Sequence, residues 1–285
     1  MIGYTVRRLW HFCHEVLLKF QRDRCLQSAS SLTTTTLFAL VPLLTLSLEI
    51  YSRFPEFSRL GRGVRAFLMA NLLPETAARV VTTYATQFSG HAAQLTTLGL
   101  AILSATAFSL ILTVEHTFNA IWGAVPRRSL IKRLLLYGAL ILFGPLLFGT
   151  GLWSLTLVVR LSVGLAGERA RVTEEILRYL SFLIIAAGLA LAYYKIPGHP
   201  VRRAHALFGG LLGAGLFEGM RSAFAWFVAH MSTYKLIYGA FAAFPIFLAW
   251  IHLSWTIILF AAVVTASLPR WGRLGSSRQS RTKRR

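Results

Sequence analysis

From Leu236 to Pro269 the chain carries no Asp, Glu, Lys or Arg. About 20 mostly apolar residues are enough for a helix to cross the hydrocarbon core of a bilayer. Inside that core every backbone N–H and C=O must be satisfied within the fold, and a helix does this within one segment. Pro245 either kinks this run or marks its true start. Five further candidates precede it. The first lies between Arg24 and Glu49, with Thr33 to Thr36 at its start, an apolar centre at Leu37 to Leu48, and Pro42 inside. The second runs from about Leu95 to Val114 and ends in the pair Glu115–His116. The third lies between Arg133 and Arg160 with Gly144–Pro145 at its middle. The fourth, between Arg178 and Lys195, is short but sufficient with tilt or snorkelling flanks. The fifth runs from about His205 to Ala229 and contains Glu218 and Arg221. The expectation is an all-α, polytopic membrane bundle of about six transmembrane helices. Only 14% of residues are charged, against about 25% in a soluble domain.

Charge placement sets the expected orientation. Lys and Arg outnumber Asp and Glu by 30 to 10, an excess that also invites a nucleic-acid reading. With six spans, the N-terminal segment, the second and fourth loops and the C-terminal tail share one side and hold 19 of the basic residues. The opposite loops hold 10, and Arg221 lies within a helix. The opposite side also has more acids: Glu56, Glu75, Glu168, Glu174 and Glu175 against Glu15 and Asp23. Basic residues are retained on the cytoplasmic side of bacterial membranes, so both termini are expected in the cytoplasm. Topology thus accounts for most of the basicity. The tail RWGRLGSSRQSRTKRR has one aromatic, Trp271; binding to nucleic acid would call for stacking aromatics among the charges. Anionic lipid headgroups are the expected partner of the tail, at about 1 kcal/mol per basic residue near the surface, and no nucleic-acid partner is expected.

The expected organisation is one transmembrane domain over residues 1–268, followed by a basic, disordered tail over 269–285. Two segments are amphipathic rather than spanning. In residues 6–20, Val6, Leu9, Trp10, Cys13, Val16, Leu17 and Phe20 recur at helical spacing, so a helix over about 4–20 is expected at the bilayer interface. The expected periplasmic loop, about 53–94, carries two stripes split by Pro74: Leu60, Val64, Phe67 and Leu68, then Val80, Val81, Tyr84 and Phe88. Packing on the bundle is the alternative for these helices.

Several strings resemble the YihY/virulence factor BrkB family of bacterial inner-membrane proteins: DRCLQSASSLTTTTLFALVPLLTL, EHTFNAIWG followed by a basic loop, YYKIPGHPVRRAHALFGGLLGAGLFEGMRSAFAWFV and STYKLIYGAFAAFPIFLAWIHLSW. Together they cover roughly residues 22–265. The resemblance implies six helices in the inner membrane. The family has been named as a ribonuclease and as a serum-resistance factor, and transport has been proposed for it. Family members often end the last span in Gly-Ala-Glu, whereas this chain reads Ala261-Ala262-Val263, so no role for that carboxylate carries over.

The residues themselves argue against hydrolysis. Phosphodiester cleavage needs a metal cage or a positioned acid and base. The eight histidines form no HxHxDH or HExxH pattern, Cys13 and Cys25 form no CxxC, and the acids are scattered. No metal, cofactor or catalytic residue is expected. A charge inside the bilayer costs about 2.5–3.5 kcal/mol on insertion scales and usually finds a partner. The candidate intramembrane polar site therefore comprises Glu115, His116, Glu218, Arg221 and His252. Glu218 and Arg221, spaced i, i+3, can pair on one helix face; they are either a structural ion pair or part of a polar pathway. Gly209–Gly213 and Gly215–Gly219 both fit GxxxG, a spacing that lets helices approach closely within a bundle or between copies. The leading expectation is a transporter, or transport-associated protein, for a lipid or other amphiphile. The alternative is an envelope-assembly protein that binds other envelope proteins and moves nothing. There is no GxxxxGK[ST] motif, so transport would use a gradient, a partner or facilitation.

Overall fold

A computed structural model describes residues 2–53, 97–124, 170–230 and 243–282, with side-chain environments for most of them. Among the described residues all regular structure is helical: α1 (Ile2–Arg22), α2 (Cys25–Arg53), α3 (Thr97–Trp122), α4 (Ala170–Lys195), α5 (Arg203–His230) and α6 (Ala243–Thr282). The third expected span and the amphipathic segment at 53–94 lie outside the described residues, except that Arg53 closes α2.

The longest uncharged run of the sequence becomes the hub. α6 touches each of the other five helices, α4 packs along α5, and α2 packs along α3. The main core joins Val16 and Phe20 of α1, Leu32 of α2, Phe118 of α3, Tyr193 of α4 and Leu259 of α6. A second cluster brings Phe224 and Val228 of α5 onto Phe247 and Trp250 of α6. Outward faces are apolar as well: Phe38, Leu183, Leu191, Phe208 and Trp226 are all exposed. Exposed leucine, phenylalanine and tryptophan on successive helices are what a lipid-facing surface requires. Among the described residues one segment, Phe244–Pro269, is long and apolar enough to cross a membrane, with a mean hydropathy of 2.1, and Ser181–Lys195 forms a shorter apolar helix.

Hydroxyls within these helices are satisfied locally. Thr33, Thr34, Thr35, Thr265 and Ser267 each donate to the carbonyl four residues earlier, which leaves no lone donor facing an apolar neighbour. Trp255 instead donates its indole N–H across to Thr36 Oγ1 at 3.0 Å, tying α6 to α2.

Several boundaries move. Pro245 falls in the first turn of α6 as described, a position where its missing N–H has no intrahelical partner to lose. The pair Glu115–His116 is not the end of its helix. α3 runs on to Trp122 and closes with Gly123 at φ +60, where Gly123 N donates to Ala120 O and Ala124 N to Asn119 O. These two bonds form a Schellman closure, and glycine enters the left-handed region without a Cβ penalty. α6 continues through Pro269 to Thr282. A proline removes one intrahelical bond, and the residues beyond it are all able to continue the turn.

The amphipathic N-terminal helix forms and divides its apolar residues between two faces. Phe12, Val16 and Phe20 pack into the core, with Phe20 edge-on to Phe260 at 5.8 Å, whereas Trp10, Leu17 and Leu18 are exposed. Both readings of that stripe therefore have residues to support them.

Candidate functional site

Two polar groupings stand out, separated along α5. The first is the ion pair expected from spacing. Arg221 Nη2 donates to Glu218 Oε1 at 2.6 Å, and Nε donates to Oε2 at 3.1 Å. A guanidinium matches a carboxylate in this forked geometry, which makes it stronger than a single contact. Both side chains keep a little over a quarter of their surface exposed. The pair sits near the midpoint of α5, among Phe217, Met220 and Phe224.

The remaining expected polar residues do not converge on it. Glu115 is buried and engaged in an interaction, whereas His116, the next residue around the helix, is exposed. His252 is half-buried on α6, and its backbone carbonyl accepts from Thr256. Among the described residues no group of three or more His, Cys, Asp or Glu side chains is placed to hold a metal ion.

The glycines of α5 also separate. A Cβ on Gly209 would collide with Thr265 of α6, and one on Gly210 would collide with the Ala186 carbonyl and lie 2.7 Å from Ala190 Cβ, both on α4. A Cβ on Gly213 would lie 2.8 Å from Leu189 of α4 and 3.3 Å from Ala261 of α6. The close approach is therefore made by Gly209, Gly210 and Gly213, and Gly210 belongs to it although it falls outside the GxxxG spacing. Gly215 and Gly219 are exposed, and no described atom lies within 4 Å of a Cβ built on either.

The second grouping lies at the N-terminal end of α5, about 20 Å from Glu218 at 1.5 Å per residue. A cavity of about 340 Å³ opens there, walled by Lys19 of α1, Trp122 of α3, His199 and Arg202 of the α4–α5 loop, His205 of α5 and Pro269 of α6. Its construction is local. Lys19 Nζ donates to Asp23 and, at 2.8 Å, to the Ile121 carbonyl, so it caps the C-terminal end of α3, where carbonyls lack helical partners. Asn119 is 2% exposed, and its Oδ1 accepts from Gly198 N at 2.7 Å, fastening the α4–α5 loop to α3. Beneath them Tyr193 is fully buried, stacked near Phe118, with its hydroxyl donating to the Ile258 carbonyl at 2.9 Å. Asn119 Nδ2 and His205 Nδ1 are buried without a hydrogen-bond partner.

The sequence matches a known family. The family described as Virulence factor BrkB matches residues 16–285. The chain belongs to that family. Its BrkB relatives include a UPF0761 membrane protein of Aromatoleum aromaticum, 43% identical over 251 residues, covering 88% of this chain and 62% of the relative. Similar UPF0761 membrane proteins occur in an Azoarcus species, at 43% identity over 88% of this chain and 62% of the relative, and in Nitrosospira multiformis, at 36% over 91% and 61%. The chain thus spans about three-fifths of the length of these BrkB-family relatives. No solved structure matches. The described helices are those of a BrkB-family membrane protein.

Asn119, Gly210 and the cavity at the end of the bundle were not singled out from sequence. Asn119 lies inside EHTFNAIWG, and an amide so near the end of an apolar helix is a legible signal. The cavity is not legible, because its walls come from four separate stretches of the chain.

Proposed function

We propose that this BrkB-family protein is a multi-pass protein of the bacterial inner membrane that moves, or helps to move, a lipid or other amphiphile. The observation that carries the reading is the forked Glu218–Arg221 pair at the middle of α5. A fully sealed ion pair would serve structure alone, but this one remains partly open on a helix whose neighbouring surface is apolar. A polar step on an apolar path suits a molecule with a headgroup and chains. No hydrolytic step belongs to this reading, since Glu115 is buried and His116 exposed and the two do not face a common site.

The orientation belongs to the same proposal. Residues in or beside segments expected on the cytoplasmic side line one cavity: Lys19, Trp122 at the end of α3, His199 and Arg202, and Pro269. Their meeting at one end of the bundle supports six spans with both ends of this chain on the cytoplasmic face, with the basic residues after Pro269 near anionic headgroups.

The test is lipid flux in proteoliposomes, using a fluorescent phospholipid and the double variant Glu218→Gln/Arg221→Met. Flux above empty vesicles that falls in a stably folded double variant supports the reading. Absence of flux in wild-type vesicles, with capture of envelope proteins by the intact protein, favours the assembly role instead.

A further inference from the structure

We propose that the cavity at the cytoplasmic end of the bundle is a binding site for a phosphate-type oxyanion, independent of whether α5 conducts a lipid at its middle. None of the side chains lining it is acidic, while Lys19, Arg202, His199 and His205 all face it. Lys19 spends two of its three donors on Asp23 and the Ile121 carbonyl, which leaves one N–H for a ligand. Arg202 brings a planar fork that suits phosphate oxygens.

The backbone adds to this. The first helical bond of α5 runs from Ala206 N to Arg202 O, so the N–H groups of Arg203, Ala204 and His205 precede it and point out of the helix start. That first turn has no acidic residue, and Arg202, at the capping position, has no side-chain oxygen to accept from them. The positive end of the helix dipole is thus reinforced by basic side chains rather than offset. A second observation points the same way. His205 lines the cavity beside Arg202, and its imidazole can offer an N–H to an oxyanion there.

The site lies where the apolar segment Phe244–Pro269 ends, at the depth where lipid headgroups meet water. Its volume of about 340 Å³ exceeds what a bare phosphate needs and leaves room for the adjoining part of a headgroup. Trp122 in the wall offers the amphipathic surface typical of that depth.

The experiment measures ligand-induced thermal stabilisation of the full chain in neutral detergent. The probes are short-chain phosphatidylglycerol and, separately, inorganic phosphate. Variants are Arg202→Gln, Arg202→Lys and His205→Gln, with Arg281→Gln in the basic tail as control, and the ligand-free melting temperature of each is measured first. The expected result is saturable stabilisation of wild type and control, with affinity lowered at least about tenfold in Arg202→Gln and His205→Gln. Arg202→Lys, which keeps the charge without the fork, should fall between and stays informative if either neutral variant fails to fold. Stabilisation by phosphatidylglycerol alone identifies a lipid headgroup; stabilisation by both, in competition, identifies a free oxyanion site. No stabilisation of wild type by either probe, or equal losses in the control and the cavity variants, overturns the proposal.

Discussion

Glu218 and Arg221 show what a single pair contributes in this setting. Losing one partner leaves the other charge partly desolvated, and that penalty, rather than the value of the bond, dominates single substitutions. Either Glu218→Gln or Arg221→Met alone should lower thermal stability in detergent, while the double change restores most of it; additive losses would show that the two groups do not act as a pair. Asn119 makes a comparable claim at another depth. Asn119→Ala strands the Gly198 N–H, now bonded at 2.7 Å, and should destabilise by about 1–3 kcal/mol. An unchanged melting temperature would mean the loop finds another anchor. The cysteines test burial directly. Cys13 is exposed and Cys25 is 1% exposed, so a membrane-impermeant maleimide should label Cys13 in inside-out vesicles and leave Cys25 unmodified until the protein is denatured. Labelling of Cys13 in intact spheroplasts instead would place α1 on the other face.

At the scale of elements, helix ends and helix contacts are set by different residues. α3 ends where it does because Gly123 accepts φ +60 and closes two carbonyls. A Cβ there meets nothing within 4 Å, so Gly123→Ala isolates the backbone term, and a loss of about 1–2 kcal/mol is expected. The α4–α5 contact depends on small residues on both sides. Gly210→Val would drive a branched side chain into the Ala186 carbonyl, which is backbone and cannot swing aside, and should separate the two helices with a marked fall in melting temperature. Gly215→Val on the same helix, with no described neighbour at its Cβ, should be far milder. Equal effects at the two positions would show that helix propensity rather than packing governs both.

For the whole molecule, the organising fact is that α6 contacts every other described helix, while Lys19, Arg202 and the ends of α3 and of the apolar segment of α6 meet around one cavity. Reporter fusions after residue 90 and after Arg285 test the orientation that follows. A periplasmic signal at residue 90 and a cytoplasmic signal at Arg285 are expected, and the reverse at Arg285 would require an odd number of crossings. Purified protein should also lack ribonuclease activity. Activity that survives two orthogonal purification steps and disappears in Glu115→Ala or His116→Ala would restore a hydrolytic role.

Sequence by itself determined the helical class and the membrane setting, because an uncharged run of spanning length acts within one segment, and its strings carried the resemblance to the family; the i, i+3 spacing likewise put Arg221 within reach of Glu218. It also determined the stripe of α1 that holds Val16 and Phe20 as apolar, although not whether that stripe met lipid or protein. Only the tertiary structure decided the rest. It turned Glu115 inward and His116 outward. It selected Gly210 over Gly215 as a contact. It also brought Lys19, His199, Arg202 and His205 around one cavity although α1 and α5 are far apart in the chain. Such outcomes depend on which surfaces meet, and local spacing carries no information about a neighbour that arrives from a distant segment.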